Sequence, residues 1–278
     1  METADSVTIV LLISAFLYLA STITYFLYLF CQKDSMQKTA FKCICAGFFF
    51  HFIAIGITAF RMGTIPVENF QQTLFIAALA LAGVFIFFQY RLNLKILGII
   101  VSPLILVMMV SAFVLPDTIA AKEPVLKGFW LISHIIMIFM GEAALAMACG
   151  TGILYLIQER AIKNKKRGFF YNRLPSLDLL DSTGYSCIAA GFVLLTFGLI
   201  TGFVYAKSVW GRFFSWDPKE IWSMVTWLVY AALLHGRLTS GWRGKRSAIM
   251  AVVGFAILIF TFFGVNFLIG GNHQIFTK

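Results

Sequence analysis

The chain has 278 residues, of which 60% are hydrophobic, 16% aromatic and only 12% charged. That apolar share exceeds what the core of a soluble protein of this length requires, so composition excludes a water-soluble globular domain and assigns the chain to a bilayer, with lipid as its surroundings. A formal net charge of +10 raises nucleic acid as a partner, but the basic residues punctuate apolar segments instead of forming one face, and nucleic acid is excluded too.

Apolar runs of about 20 residues cross about 30 Å of hydrocarbon. Eight such runs follow one another, over roughly 7–30, 43–60, 70–90, 96–115, 129–157, 183–206, 222–239 and 247–269. Each is predicted to be a helix, because an open chain in lipid has no other way to satisfy its backbone groups. The first run follows only Glu2 and Asp5, with no basic segment and no small-residue cleavage site, and is read as a retained helix. Fifteen of the twenty-two Lys and Arg fall in alternate loops: Lys33, Lys38 and Lys42; Arg91 and Lys95; Arg160 to Arg173; and Arg237 to Arg246. The positive-inside rule places those loops in the cytoplasm and both termini outside. The expected fold class is an all-α, polytopic membrane helix bundle: one domain over 1–278, in the cytoplasmic (inner) membrane, with eight transmembrane helices.

The five cysteines, Cys31, Cys43, Cys45, Cys149 and Cys187, lie within or toward the cytoplasmic ends of spans and form no C-x-x-C pair. They are read as packing residues, and thiol–disulfide exchange is not expected.

Between the sixth and seventh runs lies the loop 207–221, which holds Trp210-Gly-Arg-Phe-Phe-Ser-Trp216-Asp217-Pro218-Lys219-Glu220. An interfacial belt needs aromatic rings at the headgroup level and nothing more. The tandem Asp217-Pro218-Lys219-Glu220 points instead to a structured loop, with Asp217 as N-cap and Pro218 in the first turn of the next helix.

The four histidines fall at two levels. His51 lies ten residues before Arg61 at the outer end of its run, roughly 15 Å deep, and His235 lies thirteen after Trp222, roughly 20 Å deep. Two imidazoles at matched depth on separate helices can clamp one metal; alternatively each hydrogen-bonds a neighbouring helix. His134 and His273 both flank the outer loop. Zinc sites usually draw three or four His, Cys or carboxylate ligands. Two axial imidazoles are what haem iron takes, since the porphyrin supplies the other four nitrogens. Trp210, Phe213, Phe214 and Trp216 can cover an apolar macrocycle, and Lys207, Arg212 or Lys219 can meet its carboxylates. Arg61 is either a further carboxylate partner or an interfacial anchor. Glu142, an acid well inside a span, is a functional candidate or one half of an internal pair with a Tyr or a backbone group.

The run Trp210-Gly-x-x-x-x-Trp216-Asp217-Pro218-Lys219-Glu220, continuing to Trp227 and His235, resembles the tryptophan-rich "WWD" signature of the haem-handling proteins of cytochrome c maturation. Trp130-x-x-x-His134 and the ending Gly264-Val-Asn266-Phe-Leu-x-Gly270-x-x-His273 are most similar to the CcsA/ResC/HemX branch. Phe214 stands where a Trp is common, and Gly271-Asn272-His273-Gln274 replaces Gly-Leu-His-Ser. The resemblance implies haem b, one or two per chain. His51 and His235 are its membrane-embedded ligands, and His134 and His273 its outer ligands beside Trp210, Phe214, Trp216, Asp217 and Arg212. It further implies delivery of haem to an apocytochrome c with a CcsB/ResB-like partner, as a possible subunit of a cytochrome c synthase. The alternatives are a HemX-type regulator acting on a haem-biosynthesis enzyme, and a dihaem electron carrier.

Overall fold

The computed structural model describes residues 2–92, 95–115, 128–165, 168–169 and 171–264. The described residues form eight α-helices and no strand. These are α1 (Glu2–Cys31), α2 (Asp34–Met62), α3 (Phe70–Leu92), α4 (Gly98–Val114), α5 (Phe129–Lys163), α6 (Leu177–Trp210), α7 (Pro218–Thr239) and α8 (Lys245–Ile259). A 3₁₀ turn over Lys95–Leu97 leads into α4, and α8 continues as a π turn over Phe260–Gly264.

Seven helices are long and apolar enough to cross a membrane, all but α7. The eighth expected span is therefore a helix, but a more polar one. It opens with Pro218-Lys219-Glu220, and Ser223, Thr226, His235 and Arg237 interrupt its apolar residues. Several helices outrun their apolar cores: α2 already starts at Asp34 and α6 at Leu177, so Lys38, Lys42 and Asp181 belong to helices and not to loops.

Two compact units form, α1–α4 in one and α5–α8 in the other. In the first, Ser21 Oγ donates to the Ala40 carbonyl at 2.8 Å, tying α1 to α2. Gln71 Nε2 donates to the Ala112 carbonyl at 3.0 Å, tying α3 to α4. In the second, α5 and α6 approach through small residues: a Cβ on Gly141 would lie 3.0 Å from Leu195 N and 3.2 Å from the Gly191 carbonyl. Without a hydrophobic drive between helices in lipid, this close backbone packing supplies the association energy. Large apolar side chains such as Phe16, Phe49, Phe52, Phe87 and Phe197 stay on the outside, as lipid-facing residues should.

A half-buried ion pair ties three helices of the second unit. Arg237 of α7 forks onto Asp181 of α6, with Nη1 to Oδ1 at 2.9 Å and Nη2 to Oδ2 at 2.7 Å, and stacks over Tyr185. The same carboxylate accepts from Gly244 N at the start of α8. Since two charges taken out of water need several hydrogen bonds to be tolerated, the fork and the Gly244 contact together explain how this pair resides inside.

Candidate functional site

His51, on α2, is completely enclosed, with no solvent exposure. Its Nδ1 lies 3.4 Å from Tyr18 Oη of α1, and Phe75 of α3 meets its ring edge-on. Its Nε2 is buried and has no hydrogen-bond partner. A buried ring nitrogen left unsatisfied costs about 1–3 kcal/mol, so an orphan there asks for an explanation.

His134 sits two turns into α5 and is held by α6. Its Nδ1 is 2.7 Å from the Gly198 carbonyl oxygen. A carbonyl only accepts, so Nδ1 carries the proton and Nε2 carries the lone pair. Gly202 makes room for the ring: a Cβ there would stand 2.7 Å from His134 Nδ1. Ligating histidines commonly show this arrangement, one nitrogen donating to a carbonyl while the other faces the metal.

The aromatic loop grows out of the same end of α6. Gly211 ends that helix with φ 72°, a left-handed value that suits glycine. Phe214 packs edge-on against Phe203, the neighbour of Gly202, and against Trp216. The His134 seat and the loop thus meet consecutive residues of α6. Trp216 has φ 59°, a region that disfavours a bulky side chain, and remains 77% exposed. A large apolar ring held at the surface in a strained backbone is a feature of binding loops.

Capping holds the loop in shape. Asp217 is buried and N-caps α7 by accepting from Lys219 N at 2.9 Å, with Pro218 at the first helical position, as expected. Glu220 reaches back: its carboxylate accepts from Ser215 N at 2.8 Å and from Ser215 Oγ at 2.9 Å. This variant of the capping box braces the loop from both ends.

The cations near the loop divide. Lys207 Nζ lies 4.3 Å above the Phe213 ring. Arg212 is exposed. Lys219, half-buried, lies within electrostatic reach of Glu142 of α5, and Tyr230 of α7 lies within reach of the same acid.

His235, on α7, is exposed. His51 belongs to the first unit, while His134, His235 and the loop belong to the second. Arg61 is exposed in the last turn of α2, and Trp210, half-buried, closes α6. His273, with the rest of the Gly264–His273 ending after Gly264, lies outside the described residues. All five cysteines are free thiols; Cys149 and Cys187 are buried and Cys31 is exposed.

Among the described residues, no three His, Cys, Asp or Glu side chains gather around a common point. A haem, which asks the protein for only two axial nitrogens, fits the donors that are present: a sealed orphan Nε2 on His51 and a lone-pair Nε2 on His134. Sequence reasoning had no signal for Tyr18, Gly198 or Gly202, since an ordinary tyrosine and two glycines become informative only when a neighbouring helix packs on them.

Comparison with known proteins points to cytochrome c assembly. A family model described as cytochrome C assembly protein matches residues 67–273. The cytochrome c biogenesis protein CcsA of Guillardia theta is 35% identical over 241 residues, covering 80% of this chain and 80% of its own. The CcsA of a Prochlorococcus marinus strain is 34% identical over 241 residues (77% of this chain, 76% of its own). That of Synechococcus elongatus is 32% identical over 265 residues (79% and 82%).

Proposed function

Because this chain belongs to the cytochrome c assembly protein family, and so takes part in cytochrome c maturation, we propose that within that process it carries haem b and presents it to an apocytochrome c at its outer face. The observation that carries this reading is the meeting, on Gly198, Gly202 and Phe203 of α6, of a histidine fixed in the ligand tautomer and a braced aromatic loop. The comparisons lend the HemX-type regulator no support.

In this reading all 278 residues act as one haem-handling domain in the cytoplasmic membrane. At 22 residues α7 is about 33 Å long, enough to cross as the eighth span despite its polar residues, which leaves both termini outside and Arg237 to Arg246 inside. His51 and His235 are each proposed as a haem ligand within the membrane. His134 and His273 hold haem outside, where Trp210, Phe214 and Trp216 cover its apolar faces and Arg61 and Arg212 are available to its carboxylates. The imidazoles of these histidines would hold the iron of a bound haem through their nitrogen lone pairs, and the chain's part would be to keep those lone pairs aimed and dry. No cysteine pair is present to hold or reduce the C-x-x-C-H segment of an apocytochrome, so a CcsB/ResB-like partner supplies that step.

The test is the pyridine-haemochrome content and reduced spectrum of the detergent-purified chain, beside a His51→Ala/His235→Ala and a His134→Ala/His273→Ala variant. Haem b at one or two per chain, with a different fraction lost in each variant, is expected. Equal haem in all three preparations, or none in any, overturns the assignment.

A further inference from the structure

We propose that Tyr18 is the positioning residue for His51: its hydroxyl oxygen accepts a hydrogen bond from Nδ1–H and so keeps the ring's lone pair on Nε2, in a slot that Gly47 opens for the tyrosine ring. This inference rests on the reading of His51 as a haem ligand.

Three observations converge on it. Tyr18 and His51 are each completely buried, on α1 and α2, with Oη 3.4 Å from Nδ1. Gly47 lies one turn before His51, and a Cβ added there would stand 2.9 Å from Tyr18 Cε1; only glycine lets the ring lie against α2 at this height. The second ring nitrogen, Nε2, is sealed without a partner.

Two proton arrangements satisfy the Tyr18–His51 contact. If the tyrosine O–H donates to Nδ1, the remaining imidazole proton sits on Nε2, a buried donor with no acceptor that cannot bind metal. If Nδ1–H donates to Oη, Nε2 holds the lone pair, as a ligand must, and the orphan donor moves to the buried Tyr18 hydroxyl, a cost that iron bound at Nε2 offsets. Only the second arrangement gives the orphan nitrogen a task. It also makes the imidazole a stronger donor, which favours ferric over ferrous iron.

The experiment places Tyr18→Phe, Gly47→Ala and His51→Ala in the full chain carrying His134→Ala, so that one haem population is read. Haem affinity and midpoint potential are then measured in detergent. Tyr18→Phe keeps the ring and its packing and removes one oxygen. Its affinity for haem is expected to fall about 10-fold or more, with the midpoint potential moving upward, and Gly47→Ala should move both in the same direction. A Tyr18→Phe protein with unchanged affinity and potential, in a series where His51→Ala loses the haem, overturns the role of Tyr18 alone. A downward shift overturns the proposed direction of the hydrogen bond. Full haem retention in His51→Ala overturns the assignment of His51 itself, a failure distinct from the other two.

Discussion

Two histidines of this chain are held by the same device used in opposite ways. In the first unit the glycine is on the histidine's own helix: Gly47 admits the Tyr18 ring, and the ring reaches His51. In the second unit the glycine is on the facing helix: Gly202 admits the His134 imidazole itself, which then donates to the Gly198 carbonyl at 2.7 Å. The partners differ as well. A carbonyl can only accept and settles the tautomer outright, whereas a hydroxyl can donate or accept and leaves the choice to whatever meets Nε2. Within a membrane, where backbone carbonyls of a helix are normally occupied by its own ladder, the Gly198 carbonyl is reachable because glycines strip α6 of side chains at that height. The second unit therefore presets its histidine by the carbonyl alone, whereas in the first the proposed Nδ1–H to Tyr18 Oη bond prevails only together with a metal at Nε2.

The largest expected effect breaks this symmetry directly. Gly202→Ala puts a methyl group 2.7 Å from His134 Nδ1, closer than any real contact, so the imidazole must leave its carbonyl. Loss of the whole His134-dependent haem fraction is expected, with the His51-dependent fraction intact; Gly47→Ala, which displaces only the partner of His51, should weaken its fraction without abolishing it. Haemochrome content of the two variants decides, and equal losses would mean that the two seats work alike.

A second, smaller effect separates a lost seat from lost stability. Asp181→Asn breaks the fork to Arg237 and leaves a half-buried guanidinium without its carboxylate partner, which destabilises the second unit. The thermal unfolding midpoint in detergent should fall, while the haem that is bound keeps the wild-type spectrum, because neither Asp181 nor Arg237 touches His51 or His134. An altered spectrum at unchanged stability would instead show that the clamp sets the α7 ligand.

How much of this was legible beforehand follows from what each feature depends on. The helices were, since a 20-residue apolar run in lipid has one backbone solution; α7 proved the most polar because it carries the loop's charged cap and Arg237. The Asp217 cap and Pro218 were legible because capping is local. The surroundings of Glu142 were legible in part: a tyrosine, Tyr230, lies within its electrostatic reach as expected, and Lys219 in the first turn of α7 does so without any signal in the sequence. The seats of His51 and His134 were illegible, as each is made by a residue dozens of positions away, on a helix whose rotation no periodicity in an all-apolar segment reveals.

The smallest of these effects tests whether the outer seat is preset as a whole, loop included. Glu220 accepts two hydrogen bonds from Ser215, and Glu220→Ala strands the Ser215 N–H. With Trp216 already in a disfavoured backbone region, removing the brace should let the loop relax at a cost of about 1–3 kcal/mol. Amide exchange across 213–217 should then quicken roughly tenfold or more, and haem should leave the outer seat faster while the His134 contact persists. Glu220→Gln, which keeps an acceptor for one bond, should fall between. If the loop exchanges no faster in Glu220→Ala, the strain at Trp216 is held by the aromatic contacts to Phe214 and Phe203 alone, and the presetting of this unit reduces to the Gly198 carbonyl.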